Sequence, residues 1–333
     1  MTLVTEATVP SEEAWRAARE RAVVTRVADL ALLTIDGEDA PGFLQGQLSN
    51  DVNALSSGAG HWTSYNSPKG RMLATLYLTR RNETSFAALL ASDLVATIAQ
   101  RLTMFVLRSK VRVAASPNTC LVGLGGPAAK DALQSAFGLA PVAGIASVDS
   151  MAIVGLPDGR RLVVSSCDAA PDLFATLAAH AMPVGDDVWS WLGVASGVPM
   201  VTAATQDLFV AQTANWDAIG GLDFRKGCYP GQEIVARMQY LGRLKERLFM
   251  FASEASAPSP ATRLFSEAFG DQPCGTVVNS SPAPTGGSVM LAVAQQGAVE
   301  RGPLTIGAQD GAIATREPLP YPLPAAAAPR ERI

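Results

Sequence analysis

The sequence predicts an α+β fold whose C-terminal part is a small β-barrel or sandwich. Three observations lead there. Helical and strand patterns mix without the strict strand–helix–strand alternation of a parallel sheet. Beyond Thr262 only short apolar strands remain, separated by turn-rich segments. The 333 residues carry 48% apolar and 17% charged side chains, an ordinary globular composition with length for two or three domains.

The elements follow in order. Ser11 to Asp29 reads as a first helix, with Ser11 as its cap and glutamates in the first turn. Leu30 to Ile35 reads as a buried strand ended by the Asp36-Gly37 turn, and Ala40 to Leu48 as a short helix. Arg71 to Thr79 is a strand partly buried on both faces, with Thr84 to Leu90 as its hairpin partner. Asp93 to Leu107 reads as a helix and Lys110 to Ala114 as a strand. Beyond Pro117 come a strand at Cys120 to Leu124 and a helix from Gly125-Gly126-Pro127 to Phe137. That glycine pair reads as a plain turn rather than a phosphate cradle. Strands at Met151 to Gly155 and Arg161 to Ser165 flank a Pro157-Asp158-Gly159 turn, and Ala170 to Ala181 is helical. Glu254 to Thr262, rich in Ala, Ser and Pro, reads as a linker or surface loop. The expected barrel strands are Gly275 to Val278, Val289 to Val293 and Pro303 to Ile306, with Ser280 to Gly287 as a mobile loop between strands.

Charge and cysteine usage bound the function. A net charge of −4 offers no global basic field for nucleic acid. Met1 to Glu13 has no basic region followed by an apolar run, and no stretch approaches the ~20 apolar residues of a spanning helix, so the cytoplasm is the expected compartment and no membrane is expected as partner. Cys120, Cys167, Cys228 and Cys274 form no C-x-x-C pair, and His61 and His180 are the only histidines, so no metal site is expected.

The informative segment runs from Phe224 to Arg237 and contains Lys226-Gly227-Cys228-Tyr229-Pro230-Gly231-Gln232-Glu233. Pro230 suits the first turn of a helix, because its missing N–H needs no partner there. Ile234, Met238 and Leu241 fall on one helical face. Cys228 then precedes a helix N-terminus beside Arg225 and Lys226, features that favour a thiolate. The alternative is a small buried hydrophobe in a turn. From Asp223 to Arg247 the cations Arg225, Lys226, Arg237, Arg243, Lys245 and Arg247 outnumber the acids, either as a solvated face or as a site for an anionic group.

This string resembles the Lys-Gly-Cys-Tyr-x-Gly-Gln-Glu signature of the YgfZ family. Phe43 to Val52, Ser67 to Met72, Asn215, Gly220-Gly221 and Glu317 to Tyr321 resemble other family segments. The resemblance implies aminomethyltransferase-like folate-binding lobes around a central channel, residues 1–247, followed by a C-terminal β-barrel, residues 248–333. It implies tetrahydrofolate or a derivative as cofactor, and support of iron–sulfur enzymes such as radical-SAM proteins, with tRNA modification affected indirectly. Trp189 is the implied aromatic wall of the folate site, with Trp191 as competitor; the two face opposite ways if the stretch is extended. Gln212 aligns with a pterin-binding carboxylate of the aminomethyltransferases, although Ala211 replaces the usual preceding proline. Leu30 stands where some relatives carry a second aromatic wall, and Arg237 is a candidate for the folate tail. Cys228, with Lys226, is the candidate reactive centre. The competing reading is folate-dependent aminomethyl transfer. It requires a Gly-x-x-x-Asp-Asp strand, but the matching stretch after Gly70 carries Ala74-Thr75.

Overall fold

The computed structural model describes residues 11–139, 143–148, 150–241 and 244–324. Helix α1 (Glu12–Glu20) is capped by Ser11, whose Oγ accepts the Ala14 N–H at 3.1 Å. It ends at Glu20 instead of running to Asp29. Val23, Val24, Thr25 and Val27 are β-branched and stiff at χ1, and they form strand β1 (Val23–Val27). The following elements are β2 (Leu30–Asp36), α2 (Ala40–Gln45), β3 (Gly60–Asn66), β4 (Met72–Asn82), β5 (Ser85–Ala91), α3 (Val95–Thr103) and β6 (Arg112–Ala115). Next come β7 (Thr119–Gly125), α4 (Ala129–Phe137), β8 (Gly144–Val148), β9 (Met151–Gly155), β10 (Arg161–Ser166), α5 (Ala170–Ala178), β11 (Met182–Pro183) and α6 (Asp186–Ala195). The helices expected after Ala40, Asp93 and Ala170 are real but shorter than the sequence reading, because their apolar faces run out into turns. Strand β8 has no counterpart in that reading.

Two sheets carry the first part of the chain. One has the order β3-β4-β5-β2-β6, the other β11-β1-β7-β10-β9-β8. The chain crosses between them at Ala28-Asp29, from β1 to β2, and returns at Ser116 to Asn118, from β6 to β7. The lobes are therefore interleaved. A large apolar core lies between and around the sheets, with Leu33, Ile35, Tyr65, Met72, Leu76, Leu78, Phe86 and Trp216 almost wholly removed from water.

Helix α7 (Gln232–Leu241) leads to β12 (Glu246–Ser253), and β13 (Arg263–Phe265), β14 (Gly275–Pro282), β15 (Ser288–Gln295), α8 (Gln296–Val299), β16 (Leu304–Ile306) and β17 (Ile313–Glu317) follow. Six of these strands close a barrel in the order β12-β15-β14-β13-β16-β17, and β17 pairs back onto β12. Glu254 to Thr262 is thus a loop inside the barrel rather than a linker before it. The segment read as a mobile loop begins as strand, since Ser280 to Pro282 belong to β14.

The barrel is held to the lobes by buried polar contacts. Arg247 pairs with Asp217 at 2.6 and 3.0 Å and donates to the Gln212 carbonyl at 2.8 Å. The Asn215 amide bonds the Leu248 backbone on both sides, and the Tyr321 hydroxyl donates to the Gly197 carbonyl. A bulge in β14 between Val277 and Asn279 turns Asn279 toward the lobes. Its amide accepts from Met200 N at 2.7 Å and donates to Met200 O at 2.9 Å.

Candidate functional site

Two places gather the functional residues, and strand β3 stands between them. The first is an open cleft enclosing about 130 Å³, where both sheets, α6 and the barrel meet. Leu30, Trp62, Tyr77 and Leu89 come from the first sheet, Leu156 and Arg160 from the β9–β10 turn, and Trp189 and Val194 from α6. Val198 and Met200 follow α6, and Asn279 and Ser280 come from the barrel. Asp29 lies at the crossover between the sheets.

The stretch containing Trp189 is helical, not extended. Two residues on a helix are still about 200° apart, so Trp189 and Trp191 face different ways. Trp189 lines the cleft, while Trp191 packs edge-on against Trp15 at 5.8 Å. The Arg160 guanidinium lies over the Trp189 ring at 5.0 Å. Asp158, two residues earlier in the turn, takes its Nε at 3.0 Å and one terminal nitrogen at 2.7 Å. Crowding by these walls raises the Asp29 carboxyl above its ordinary range, with Asp186 adding to the rise and Arg160 opposing it.

Leu30 lines the cleft. Gln212 does not. It is wholly buried, its Nε2 donates to the Val235 carbonyl of α7 at 2.6 Å, and its Oε1 has no partner. The indole Nε1 of Trp216 is also buried without a partner, and that ring touches Trp62 at 5.9 Å. Arg237 is exposed on α7, away from the cleft lining. Arg243 lies outside the described residues. Ala74 is buried, and Thr75 accepts the Val201 N–H at 3.0 Å and donates to the Met200 sulfur. The position of a transferase acid pair is thus filled by core and backbone support.

The second place is the signature loop. Alternation along β3 puts Trp62 in the cleft and turns the neighbouring His61 toward Asp51 and Lys226. The segments Gln45 to Asp51, Ser67 to Gly70 and Gly220 to Gly231 converge here. Ser49 Oγ donates to Gly221 O at 2.7 Å, and Asn50 Nδ2 donates to Gly220 O at 2.7 Å. Lys226 Nζ donates to Gln45 O at 2.7 Å and to Leu48 O, at the C-terminal end of α2, and sits 4.8 Å from the Tyr229 ring centre. Its charge is therefore directed into the fold, and burial lowers its pKa to about 8. Burial also pushes His61 down to about 4. Pro230 does not open the helix; α7 begins at Gln232, whose Oε1 accepts the Tyr229 N–H. Gly231 has φ +79°, with Ser67 O and Gly70 backbone atoms packed where a side chain would stand.

Cys228 is exposed and unpaired on this loop. Cys120 in β7 and Cys167, just past β10, form a disulfide. Cys274 is buried in the barrel, and burial pushes its thiol up. Cys228 is thus the one exposed free thiol among the described residues. Among these residues no group of three His, Cys, Asp or Glu side chains could hold a metal ion, and no helix is long and apolar enough to cross a membrane.

Asp29, Arg160, Asn279 and His61 were not singled out from sequence. Only Arg160 had a local signal, the Asp-Gly-Arg turn that lets Asp158 reach its guanidinium.

Residues 5–145 match the family model described as GCVT N-terminal domain. The chain is 30% identical to the tRNA-modifying protein YgfZ of Klebsiella pneumoniae over 94% of this chain and 97% of that protein. It is 34% identical to the protein of the same name from Yersinia pseudotuberculosis over 68% and 70%. Its fold resembles the glycine cleavage system aminomethyltransferase T of Bartonella henselae, with a TM-score of 0.68 and 17% identity over 90% of this chain and 86% of that one. With its signature loop intact and its lobes and barrel arranged on the aminomethyltransferase plan, the chain belongs to the YgfZ family.

Proposed function

We propose that this chain binds a reduced folate in the cleft and supports the assembly or repair of iron–sulfur enzymes in the cytoplasm, with Cys228 as its reactive group. The observation that carries the reading is the pairing of an apolar-walled, polar-edged cleft with an exposed, unpaired thiol on the signature loop. Folate fits the residues present. Its flat rings want apolar walls, supplied by Leu30, Leu89, Val198 and Met200, and its polar edge wants paired charges, supplied by Asp29 and Arg160. Trp216, whose ring packs on Trp62 of the cleft, has a buried indole Nε1 without a partner, which suits a polar group or ordered water beside it.

Bound tetrahydrofolate supplies a reduced pteridine able to accept or hold a one-carbon unit. The chain's own residues do the rest. Trp189 and Asp158 fix Arg160, and Asn279 fixes Met200 across the barrel contact. Lys226 ties the signature loop to α2 and so positions Cys228 while leaving it exposed. The thiol is a nucleophile suited to exchange with a client's disulfide, to capture of a one-carbon fragment, or to brief holding of iron or sulfide.

The fold likeness favours aminomethyl transfer as a second reading. Against it stands Thr75, committed to the backbone where the transferase strand needs an acid. Calorimetry with tetrahydrofolate tests the ligand: the expected result is heat of binding and a higher melting temperature, and no response at millimolar ligand would remove the folate claim.

A further inference from the structure

The polar end of the cleft is more specific than a generic charged rim. Arg160 is about nine-tenths buried, and two of its nitrogens are committed to Asp158, leaving one terminal nitrogen without a partner. That free nitrogen would stand 3.1 Å from a Cβ at Gly193, so a glycine on α6 is what leaves it room beside the cleft. Stacking on Trp189 and the two bonds to Asp158 fix its direction in advance, which reduces the ordering cost of binding. Asp29 faces the same space from the sheet crossover, within the field of Arg160 and beside the Trp189 indole. The cleft therefore presents a carboxylate and a fixed N–H donor side by side on an apolar floor.

We propose that Asp29 and Arg160 together read the amino-pyrimidinone edge of a reduced pteridine, Asp29 accepting its ring and amino N–H groups and Arg160 donating to its carbonyl oxygen. This rests on the folate reading and adds which end of the ligand lies here and which residues select it. The alternative for Arg160 is the glutamate tail. Two features disfavour it. Asp158 already neutralises the guanidinium, so a free carboxylate gains little there. Asp29 and the nearby Asp186 present negative charge to any further anion. A neutral edge with adjacent donors and acceptor satisfies both residues at once, as a tail carboxylate does not. Gln212, which the family resemblance would assign to this edge, lies outside the cleft lining with its Nε2 bound to Val235.

The experiment is calorimetric titration of the full chain with tetrahydrofolate, tetrahydropterin and p-aminobenzoylglutamate, using wild type, Asp29→Asn and Arg160→Lys. The isosteric Asp29→Asn keeps the side chain's shape and should fold normally. Both variants should weaken tetrahydropterin and tetrahydrofolate by about tenfold to a hundredfold, the loss expected for a charge-assisted bond, and leave p-aminobenzoylglutamate unchanged. In wild type alone, the Trp189 indole N–H resonance, assigned with Trp189→Phe, should move with tetrahydropterin and not with p-aminobenzoylglutamate. If wild type binds no tetrahydrofolate, the folate reading itself falls. If it binds tetrahydrofolate but both variants hold tetrahydropterin as tightly as wild type, only the present inference is overturned. Selective loss of p-aminobenzoylglutamate affinity, or an indole signal that answers only to that fragment, would likewise overturn it and put the tail at Arg160.

Discussion

Replacing Gly231 by alanine should damage the signature loop far more than the same change at a glycine of similar backbone angle elsewhere. Gly231 has φ +79°, a conformation that costs a side-chain-bearing residue about 1–2 kcal/mol. The added Cβ would also lie 2.5 Å from Ser67 O, 2.6 Å from Gly70 Cα and 2.7 Å from Gly70 N. These are backbone atoms of the β3–β4 turn, and Gly70 is itself at φ +72° against Ile234, so neither side can give by rotating a side chain. A forced shift of the loop should add about 1–3 kcal/mol, for a total near 3 kcal/mol. Spread over the unfolding entropy of a chain this long, that is a fall of about 4 °C in melting temperature. Gly138→Ala is the control: φ is +72° but nothing lies within 4 Å of the new Cβ, so only the conformational cost applies, about 2 °C. The assay is thermal unfolding of both variants, followed by tryptophan fluorescence and by the rate of Cys228 alkylation. Gly231→Ala should melt lower than Gly138→Ala and alter the alkylation rate, and Gly138→Ala should leave that rate alone. Equal shifts for the two, with unchanged alkylation, would refute the packing account of the loop.

Other outcomes follow from the same geometry. Gly227→Ala, where φ is not positive and nothing lies within 4 Å, should leave stability unchanged within about 0.5 kcal/mol; a loss of client-enzyme support at unchanged melting temperature would then mark a functional rather than steric need for glycine. His61 is held neutral, with its pKa at about 4 against an ordinary 6.5, so the unfolded chain takes up the proton first. Stability should be intact above pH 6.5 and fall by up to about 3 kcal/mol toward pH 4, and His61→Gln should flatten that acid limb in urea titrations at stepped pH. Lys226 carries the same sign in a higher window: its pKa of about 8 against 10.5 means the unfolded chain holds its proton more tightly between those values, so wild type should gain on Lys226→Met as pH rises from 8 to 10. No methylene-tetrahydrofolate should form from an aminomethylated carrier protein, given Ala74 and Thr75; appreciable product would restore the transferase reading.

Much of the molecule can be read from its local patterns, and the rest depends on contacts between distant segments. Strands β2 and β5, helix α4 and the alternation of barrel strands follow from periodicity and turn residues. The first helix is overextended in that reading because the alanines and charged residues of α1 run into Val23 and Val24 with no glycine or proline between them. The Trp189 stretch is ambiguous because its apolar residues fit a short strand as well as α6. The signature is plain in sequence, but the inward turn of Lys226 is not, since Gln45 and Leu48 lie far away in the chain. The Cys120–Cys167 bridge spans 47 residues and left no spacing signal. Asp29, Arg160 and Asn279 reach the cleft from a sheet crossover, a hairpin turn and a barrel bulge, elements that meet only in the folded chain.

The exposed thiol of Cys228 is the group on which the proposed function depends. The direct measurement is the activity of a cluster-dependent radical-SAM enzyme in cells lacking their own copy of this protein, supplied with wild type or with Cys228→Ser at equal abundance. Cys228 makes no disulfide and lies exposed, so the serine variant should melt like wild type and still bind tetrahydrofolate. Wild type should restore the enzyme activity, and Cys228→Ser should leave it close to the level of cells without the protein. Full restoration by Cys228→Ser would exclude a reactive role for this thiol.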